Sequence, residues 1–282
     1  MKQRKKIFPS VLLAVIMCVS GLAGSARGET IRIGGTGFGL GVMKILARSF
    51  EESHPGEKIE VIPSLGSSGG IKALLHGALD IAISGRPLKA EESGKGIEAD
   101  LFIRSPFIFI VNESVTKQGI TIQELEKIFR GEMLTWPDGE RIRPILRPEA
   151  DTATKIVRGI SSGMDQAMTL AMAREGMILE ITDQDSARMV EKTPGALAAS
   201  SLTQVYSEKR QVGILAFNGI RPSVEALSDG AYPLSIPLYL VTPDRMKETA
   251  LAFSRFLYTE KGRRILAENG NLIVDPERRD DQ

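Results

Sequence analysis

The sequence VIPSLGSSGGIKALL, residues Val61–Leu75, decides how the rest of the chain is interpreted. The apolar pair Val61 and Ile62 predicts a short strand, and the spacing of apolar residues after Gly70 predicts a helix. Serines and glycines lie between them, so main-chain N–H groups and small hydroxyls converge at the positive end of a helix dipole. The stretch therefore predicts either an anion-binding loop or a strand-to-helix turn with a serine N-cap.

Two further segments repeat this order of strand, small-residue loop and helix. Residues 30–33 alternate like a strand before the run GGTGFG, and the apolar residues of 80–84 end at Gly85 and Arg86. Strands that alternate with helices predict an α/β fold, in which ligands bind beyond the carboxyl ends of the strands. We therefore expect binding loops at all three strand ends.

The middle of the chain has strands and helices of its own before apolar strand material returns. This predicts a discontinuous first lobe, residues 29–112 and 217–274, and a second lobe, residues 113–216. The charged tail, residues 275–282, is expected to be flexible. Within the second lobe, a capping box at Thr121 and Glu124 predicts a helix start, and Thr193-Pro194-Gly195 predicts another.

The first 28 residues have the pattern of a secretory signal peptide. Basic residues at 2–6 precede an apolar run at 11–19 and small residues up to Ala26. Without residues 1–28, 31 basic and 35 acidic side chains remain, a net charge of −4 that argues against nucleic-acid binding. The one cysteine, Cys18, lies in this leader, so we expect a periplasmic or otherwise exported protein without disulfides.

Catalytic and cofactor chemistry has little support in the sequence. The two histidines, His54 and His76, are isolated, and no His/Cys cluster has metal-ligand spacing. The glycines of residues 34–39 are not followed by the acidic residue that a dinucleotide site requires. We therefore predict a protein that is not an enzyme and holds no cofactor or metal.

Anion-binding chemistry, in contrast, recurs at four loops. Small residues or arginines lie at the ends of predicted strands or the starts of predicted helices, where N–H groups, hydroxyls and a guanidinium can meet a tetrahedral oxyanion. The candidate residues are Thr36, Gly37, Phe38, Ser67, Ser68, Arg86, Arg147, Thr152 and Thr154. Each also has a structural explanation, such as a helix cap for Thr36 or a solvated charge for Arg86.

The motifs together resemble a known family. They are, in chain order, Gly35-Thr36-Gly37, Gly66–Gly70, Asp80–Leu88, Ile128–Gly131 with Trp136, and Thr193–Ala196. Their order and spacing resemble the periplasmic phosphate-binding proteins of ABC importers across nearly the whole mature chain. The resemblance implies a two-lobed periplasmic binding fold of type II, in which each lobe is a mixed sheet flanked by helices and the ligand cleft lies between the lobes.

The resemblance also implies roles for single residues, and the chain departs from the family at two places. Thr36 and Phe38 would donate from the first loop, Ser67 from the second, and Arg147 from the second lobe. Where well-known members carry an aspartate that accepts the proton of hydrogen phosphate, this chain has Gly85. Where members carry Gly-Ser-Gly-Thr after the arginine, this chain has residues 150–154, ADTAT, with the register open by one residue. Acids beside an anion repel it unless they accept a proton from it.

The hypothesis from the sequence is an exported, monomeric solute-binding protein. It would capture phosphate or a similar small oxyanion and deliver it to an ABC permease in the inner membrane. Two alternatives stay open: a ligand-sensing protein that docks on a membrane receptor or histidine kinase, and a secreted phosphatase on a related scaffold. A small organic anion is a further candidate ligand.

Overall fold

The computed structural model of the protein describes residues 29–275. The predicted signal peptide with Cys18, and the predicted tail beyond residue 275, lie outside the described residues. The helices of residues 29–275 are α1 (Gly37–Ser53), α2 (Gly66–Leu75), α3 (Ile122–Arg130), α4 (Thr152–Gly159), α5 (Ser162–Ala173), α6 (Asp183–Lys192), α7 (Leu202–Ser207), α8 (Val224–Ser228), α9 (Glu248–Phe256) and α10 (Glu260–Glu268).

Strands and helices alternate along most of the chain, as the sequence predicts. The strands are β1 (Thr30–Gly35), β2 (Lys58–Val61), β3 (Ile81–Ser84), β4 (Ile97–Val111), β5 (Gly119–Ile120), β6 (Arg143–Leu146), β7 (Ile178–Leu179), β8 (Ala196–Ser201), β9 (Gly213–Phe217), β10 (Ser235–Pro243) and β11 (Leu272–Ile273).

The strands form two groups that share β4. In the first group the order is β2-β1-β3-β10-β4, with β1 parallel to β2 and β3, and β10 antiparallel to β3 and β4. In the second group β4 pairs antiparallel with β8 and β9, and β6 lies parallel between β8 and β7. Strand β4 changes partner from β10 to β8 between Pro106 and Phe107. The predicted mixed α/β architecture is confirmed, while the residue limits of the two lobes stay a prediction.

Burial explains why the first strands end where the binding loops begin. All four residues of β3 are buried, and β1 is buried along its last three residues. A Cβ built on Gly70 would lie 2.6 Å from the Cα of Gly35, so only a glycine lets α2 start this close to the end of β1. The starts of α1 and α2 are thereby held at the same edge of the first sheet.

Local signals explain most elements, and one of them was misinterpreted. The capping box of α3 is present, with Thr121 and Glu124 each accepting from the other's main-chain N–H. The prediction that Thr193-Pro194-Gly195 starts a helix is wrong. Helix α6 ends just before it, Gly195 has φ +68°, and strand β8 follows. The turn ends one helix and leads into a strand.

Candidate functional site

A cleft of about 240 Å³ lies between the start of α2 and the segment that joins β6 to α4. It brings together four predicted residues, Ser67, Ser68, Arg86 and Thr152, from loops that are far apart in the sequence. The lining residues are Ser64, Leu65, Gly66, Ser67, Ser68, Gly69, Arg86, Pro148, Ala150, Asp151, Thr152, Ile181 and Thr182.

A pair of hydroxyls joins the two walls of the cleft. The Ser67 hydroxyl accepts a hydrogen bond from the Gly85 N–H at 2.9 Å and lies 3.4 Å from the Thr152 hydroxyl. A Cβ on Gly85 would lie 3.1 Å from the Thr152 methyl group, so the glycine leaves room for α4 to approach. Gly85 thus contributes an N–H and a close approach at the place where the family resemblance implies a carboxylate.

The N-cap position of α2 is Leu65, whose side chain caps nothing, so the alternative of a serine at that position is wrong. The Ser64 hydroxyl, one residue earlier, accepts from the Gly66 N–H at 3.4 Å. Helix α1 likewise has no side-chain cap at Thr36. The unpaired N–H groups of a helix start carry partial positive charge and favour an anion.

Arg86 has a carboxylate partner on its own loop. Its guanidinium donates twice to Glu92, at 2.7 Å to each oxygen, and once to the Ser68 hydroxyl at 3.0 Å. The hydrogen bond from Arg86 holds the pKa of Glu92 below its ordinary value. The charge of Arg86 is therefore balanced before any ligand arrives.

Arg147 is held more deeply, at the end of β6, and its side chain is 5% exposed. One guanidinium nitrogen lies 2.9 Å from Asp151 and 3.2 Å from Asp183, and another donates to the Glu180 carbonyl at 2.8 Å. The buried Nε has no hydrogen-bond partner among the described residues. A buried donor without an acceptor costs about 1–3 kcal/mol, which an anionic ligand would recover.

Asp183, the first residue of α6, lies against the start of α1. A Cβ on Gly37 would be 2.6 Å from one Asp183 carboxylate oxygen. The neighbouring Gln184 donates to the Gly37 carbonyl and to Glu208, both at 2.8 Å. Burial raises the pKa of Asp183 to about 7, against the opposing effect of Arg147 and with a smaller contribution from Asp151. A carboxylate of the protein itself thus lies where the sequence predicts an oxyanion.

The remaining predicted residues surround this cluster. The Thr36 N–H donates to the Ile83 carbonyl, and the Phe38 side chain packs edge-on against Phe107 at 6.3 Å in the core. The Thr154 hydroxyl donates to the Arg147 carbonyl at 3.0 Å and fixes that main chain. Thr36, Gly37, Phe38, Arg147 and Thr154 do not line the 240 Å³ cleft.

Sequence reasoning missed Asp183 and the whole of α6. The signal was present, because Thr182 is followed three residues later by Asp185, and the Thr182 hydroxyl accepts from the Asp185 N–H. It also missed Glu92, the partner of Arg86. No local pattern connects either carboxylate with its arginine.

Other parts of the described chain offer less to a ligand. A larger cavity, of about 340 Å³, lies between α3 and the start of β6. Two of its arginines are already used, Arg143 by Glu140 and Arg174 by the Phe129 carbonyl. Residues 29–275 contain no group of three or more metal-ligating side chains. Their helices are all too short or too polar to cross a membrane.

Comparison with known proteins places the chain among binding proteins. The phosphate-binding protein PstS of Bacillus subtilis is 24% identical, over 96% of this chain and 95% of the relative. The PstS protein of Borreliella burgdorferi is 25% identical, over 74% of this chain and 77% of the relative.

A solved structure from Clostridium perfringens, described as a phosphate ABC transporter substrate-binding protein with bound phosphate, superposes with a TM-score of 0.75. It is 20% identical and is matched over 88% of this chain and 100% of its own length. The two-lobed fold implied by the resemblance is confirmed. The sequence model of the PBP superfamily domain matches residues 21–261, and the chain therefore belongs to the PBP superfamily.

Proposed function

We propose that this protein captures phosphate, or a similar small oxyanion, between its two lobes and delivers it to an ABC permease. One observation carries the proposal: Arg147, buried behind the Asp151 wall of the cleft, has an unpartnered Nε, and the other wall begins with a helix whose N-cap residue, Leu65, offers no side-chain acceptor. A guanidinium and a set of fixed N–H dipoles suit a small anion.

The same geometry supports roles for the predicted residues. Arg147 would neutralise the ligand, and the Ser67 and Thr152 hydroxyls, now 3.4 Å apart, would each turn to an anion oxygen. The N–H groups at the start of α2 would orient it. Arg86, already paired with Glu92, would act at the rim of the cleft.

The relatives support the substrate and the role. The two PstS relatives are named as phosphate-binding proteins, and the Clostridium perfringens structure contains phosphate. These names describe phosphate-binding proteins, one of them of an ABC transporter, and not enzymes, so the secreted phosphatase is set aside. Export directed by residues 1–28 and a permease partner are part of the same proposed role in transport. A sensor that docks on a membrane receptor uses the same cleft, and pull-down of the permease or of a receptor distinguishes the two.

Titration calorimetry of the mature protein, stripped of ligand, tests the proposal. We expect one phosphate per chain, and weaker or no heat with sulfate, molybdate and tungstate. If none of the four anions binds, capture of an oxyanion is wrong, and an organic anion becomes the next candidate.

A further inference from the structure

The cleft is larger than the inorganic ion proposed for it. Its volume of about 240 Å³ is about eight times the ~30 Å³ that one water takes up in the liquid. A tetrahedral oxyanion has five heavy atoms, which would fill only about 150 Å³ even if each took up as much space as a water. Space for roughly three further heavy atoms therefore remains beside the ion.

Closure of the lobes would not remove this space, because the two walls already touch at the floor of the cleft. The Ser67 and Thr152 hydroxyls lie 3.4 Å apart, and they can approach by only ~0.6 Å before they reach the usual O–H···O distance. Beside them, a Cβ on Gly85 would lie 3.1 Å from the Thr152 methyl group. The remaining space is therefore filled by water or by a larger ligand.

The lining of the cleft changes from polar at the floor to apolar at the mouth. At the floor lie the Ser67 hydroxyl, which is buried, and the first-turn N–H groups of α2, for which a helix has no carbonyl acceptor. At the mouth lie Leu65 on the first wall and Ile181 on the second, which are 43% and 67% exposed. Pro148 and Ala150 add apolar surface to the second wall.

Leu65 and Ile181 form an apolar entrance to a site for an anion. A single exposed leucine or isoleucine is common on a protein surface. Here two such side chains, from segments more than a hundred residues apart, line one cleft. An apolar group held between them would remove surface of both side chains from water. Inorganic phosphate has oxygen on every side and cannot use this surface.

We propose that the cleft takes organic oxyanions of the phosphonate or phosphate monoester class. The tetrahedral head would lie at the floor, on the Ser67 and Thr152 hydroxyls and the start of α2, as proposed for phosphate. A short apolar chain of about three carbon atoms would replace one oxygen and lie between Leu65 and Ile181. The inference rests on the function proposed above, because it uses the same floor, and it extends the ligand from the inorganic ion to its organic derivatives.

A series of alkylphosphonates tests the inference, because the head stays the same while the chain grows. The measurement is titration calorimetry of the mature protein, stripped of ligand, with inorganic phosphate as the reference. From methyl- to propylphosphonate we expect the affinity to rise by about two- to fourfold for each added CH₂, as burial of a methylene gives. The rise should level off at pentylphosphonate, whose chain extends beyond the mouth of the cleft.

A substitution at the mouth tests which side chain holds the apolar chain. Ile181→Ser should lower the ratio of propyl- to methylphosphonate affinity by about threefold or more, because the chain loses its apolar partner on the second wall. The matched control is Leu179→Ser, which removes a similarly exposed apolar side chain two residues earlier, outside the cleft lining. Its affinity ratio should equal that of wild type.

Equal affinity of wild type for methyl- and propylphosphonate would overturn the inference, as would an affinity ratio that Ile181→Ser leaves unchanged. The wild-type series gives this answer even if a variant does not fold. If the protein binds inorganic phosphate but no phosphonate, the function stands and the inference is wrong. If it binds phosphonates but not inorganic phosphate, the inference stands and capture of phosphate is wrong. If it binds none of them, both proposals are wrong.

Discussion

The wall of the cleft built from the start of α2 and the loop after β3 consists mainly of glycines, serine hydroxyls and one arginine. Behind the opposite wall Arg147 lies buried with two carboxylates, of which only Asp151 lines the cleft. On the first wall Arg86 and Glu92 balance each other within one loop. On the second, Arg147 is shared between Asp151 and Asp183, which lie on different helices. The first wall thus offers neutral donors and an arginine that is already balanced, whereas the second has two carboxylates for one guanidinium.

Removal of Arg147 should have the largest effect, both on stability and on phosphate affinity. Arg147→Met leaves Asp151 and Asp183 without their cation, and breaking a buried pair costs about 3–5 kcal/mol of stability. Phosphate affinity should fall by ~100-fold or more. Thermal unfolding and calorimetry measure the two effects. Arg143→Met, which breaks a half-exposed pair with Glu140, is the control and should cost at most about 1 kcal/mol.

The next largest effect should come from disturbing the contact between α1 and α6. A methyl group at residue 37 would lie 2.4 Å from Gln184 and 2.6 Å from Asp183, so Gly37→Ala should push the second wall away. We expect a loss of about 1–3 kcal/mol in the free energy of unfolding, and weaker phosphate binding. Gly159→Ala, where no atom lies within 4 Å, should change neither. Wild-type stability of Gly37→Ala would show that the two helices do not meet as described.

The hydroxyl that joins the walls should have a smaller effect. Ser67→Ala leaves the buried Gly85 N–H without its acceptor, at a cost of about 1 kcal/mol or somewhat more, and removes a donor to the ligand. Phosphate affinity should drop by roughly tenfold for a lost charge-assisted hydrogen bond. The control is Ser254→Ala on α9, outside the cleft lining, which loses only a hydrogen bond to the Leu251 carbonyl. Equal effects at both positions would contradict the assignment of Ser67 to the site.

The ion pair of Arg86 and Glu92 on the first wall should have the smallest effect on phosphate binding. Glu92→Gln should lower stability at pH 7 by about 1 kcal/mol and leave phosphate affinity nearly unchanged. Because Arg86 lowers the pKa of Glu92, this contribution is present above its ordinary pKa of 4.5 and is lost as the pH falls through the lowered pKa. Unfolding temperatures from pH 7 down to pH 3 measure it. The control is Glu91→Gln, which removes an exposed pair with Lys89.

Local chemistry made much of the fold predictable. The capping box at Thr121 and the apolar run of β3 are each encoded within a few neighbouring residues, and both were correctly predicted. The meeting of Ser67 with Thr152 was expected from the family resemblance, which places the two residues on opposite lobes around one cleft, since β2 and β6 are not neighbours in the sheet.

The charges of the second wall were not predictable in the same way. Arg147 and Asp183 are separated by two helices and a strand, and their contact depends on how the start of α6 packs beside the end of β6. The wrong helix at Thr193 had a related cause, because Pro and Gly mark both starts and ends of helices, and the preceding helix had been overlooked.

The position of strand β10 determines how late in synthesis the first sheet can form. It lies between β3 and β4 and pairs antiparallel with both, although it follows β4 by more than a hundred residues. While residues 235–243 are still missing from a growing chain, β3 and β4 have no strand to join them, and the first sheet stays in two pieces. Sheets closed by such distant pairings form slowly, because the entropy of closing a long loop is lost before the stabilising contacts form. A nascent chain whose first sheet closes only near the end of synthesis stays incompletely folded for most of its time on the ribosome, which is the state that the proposed export would need.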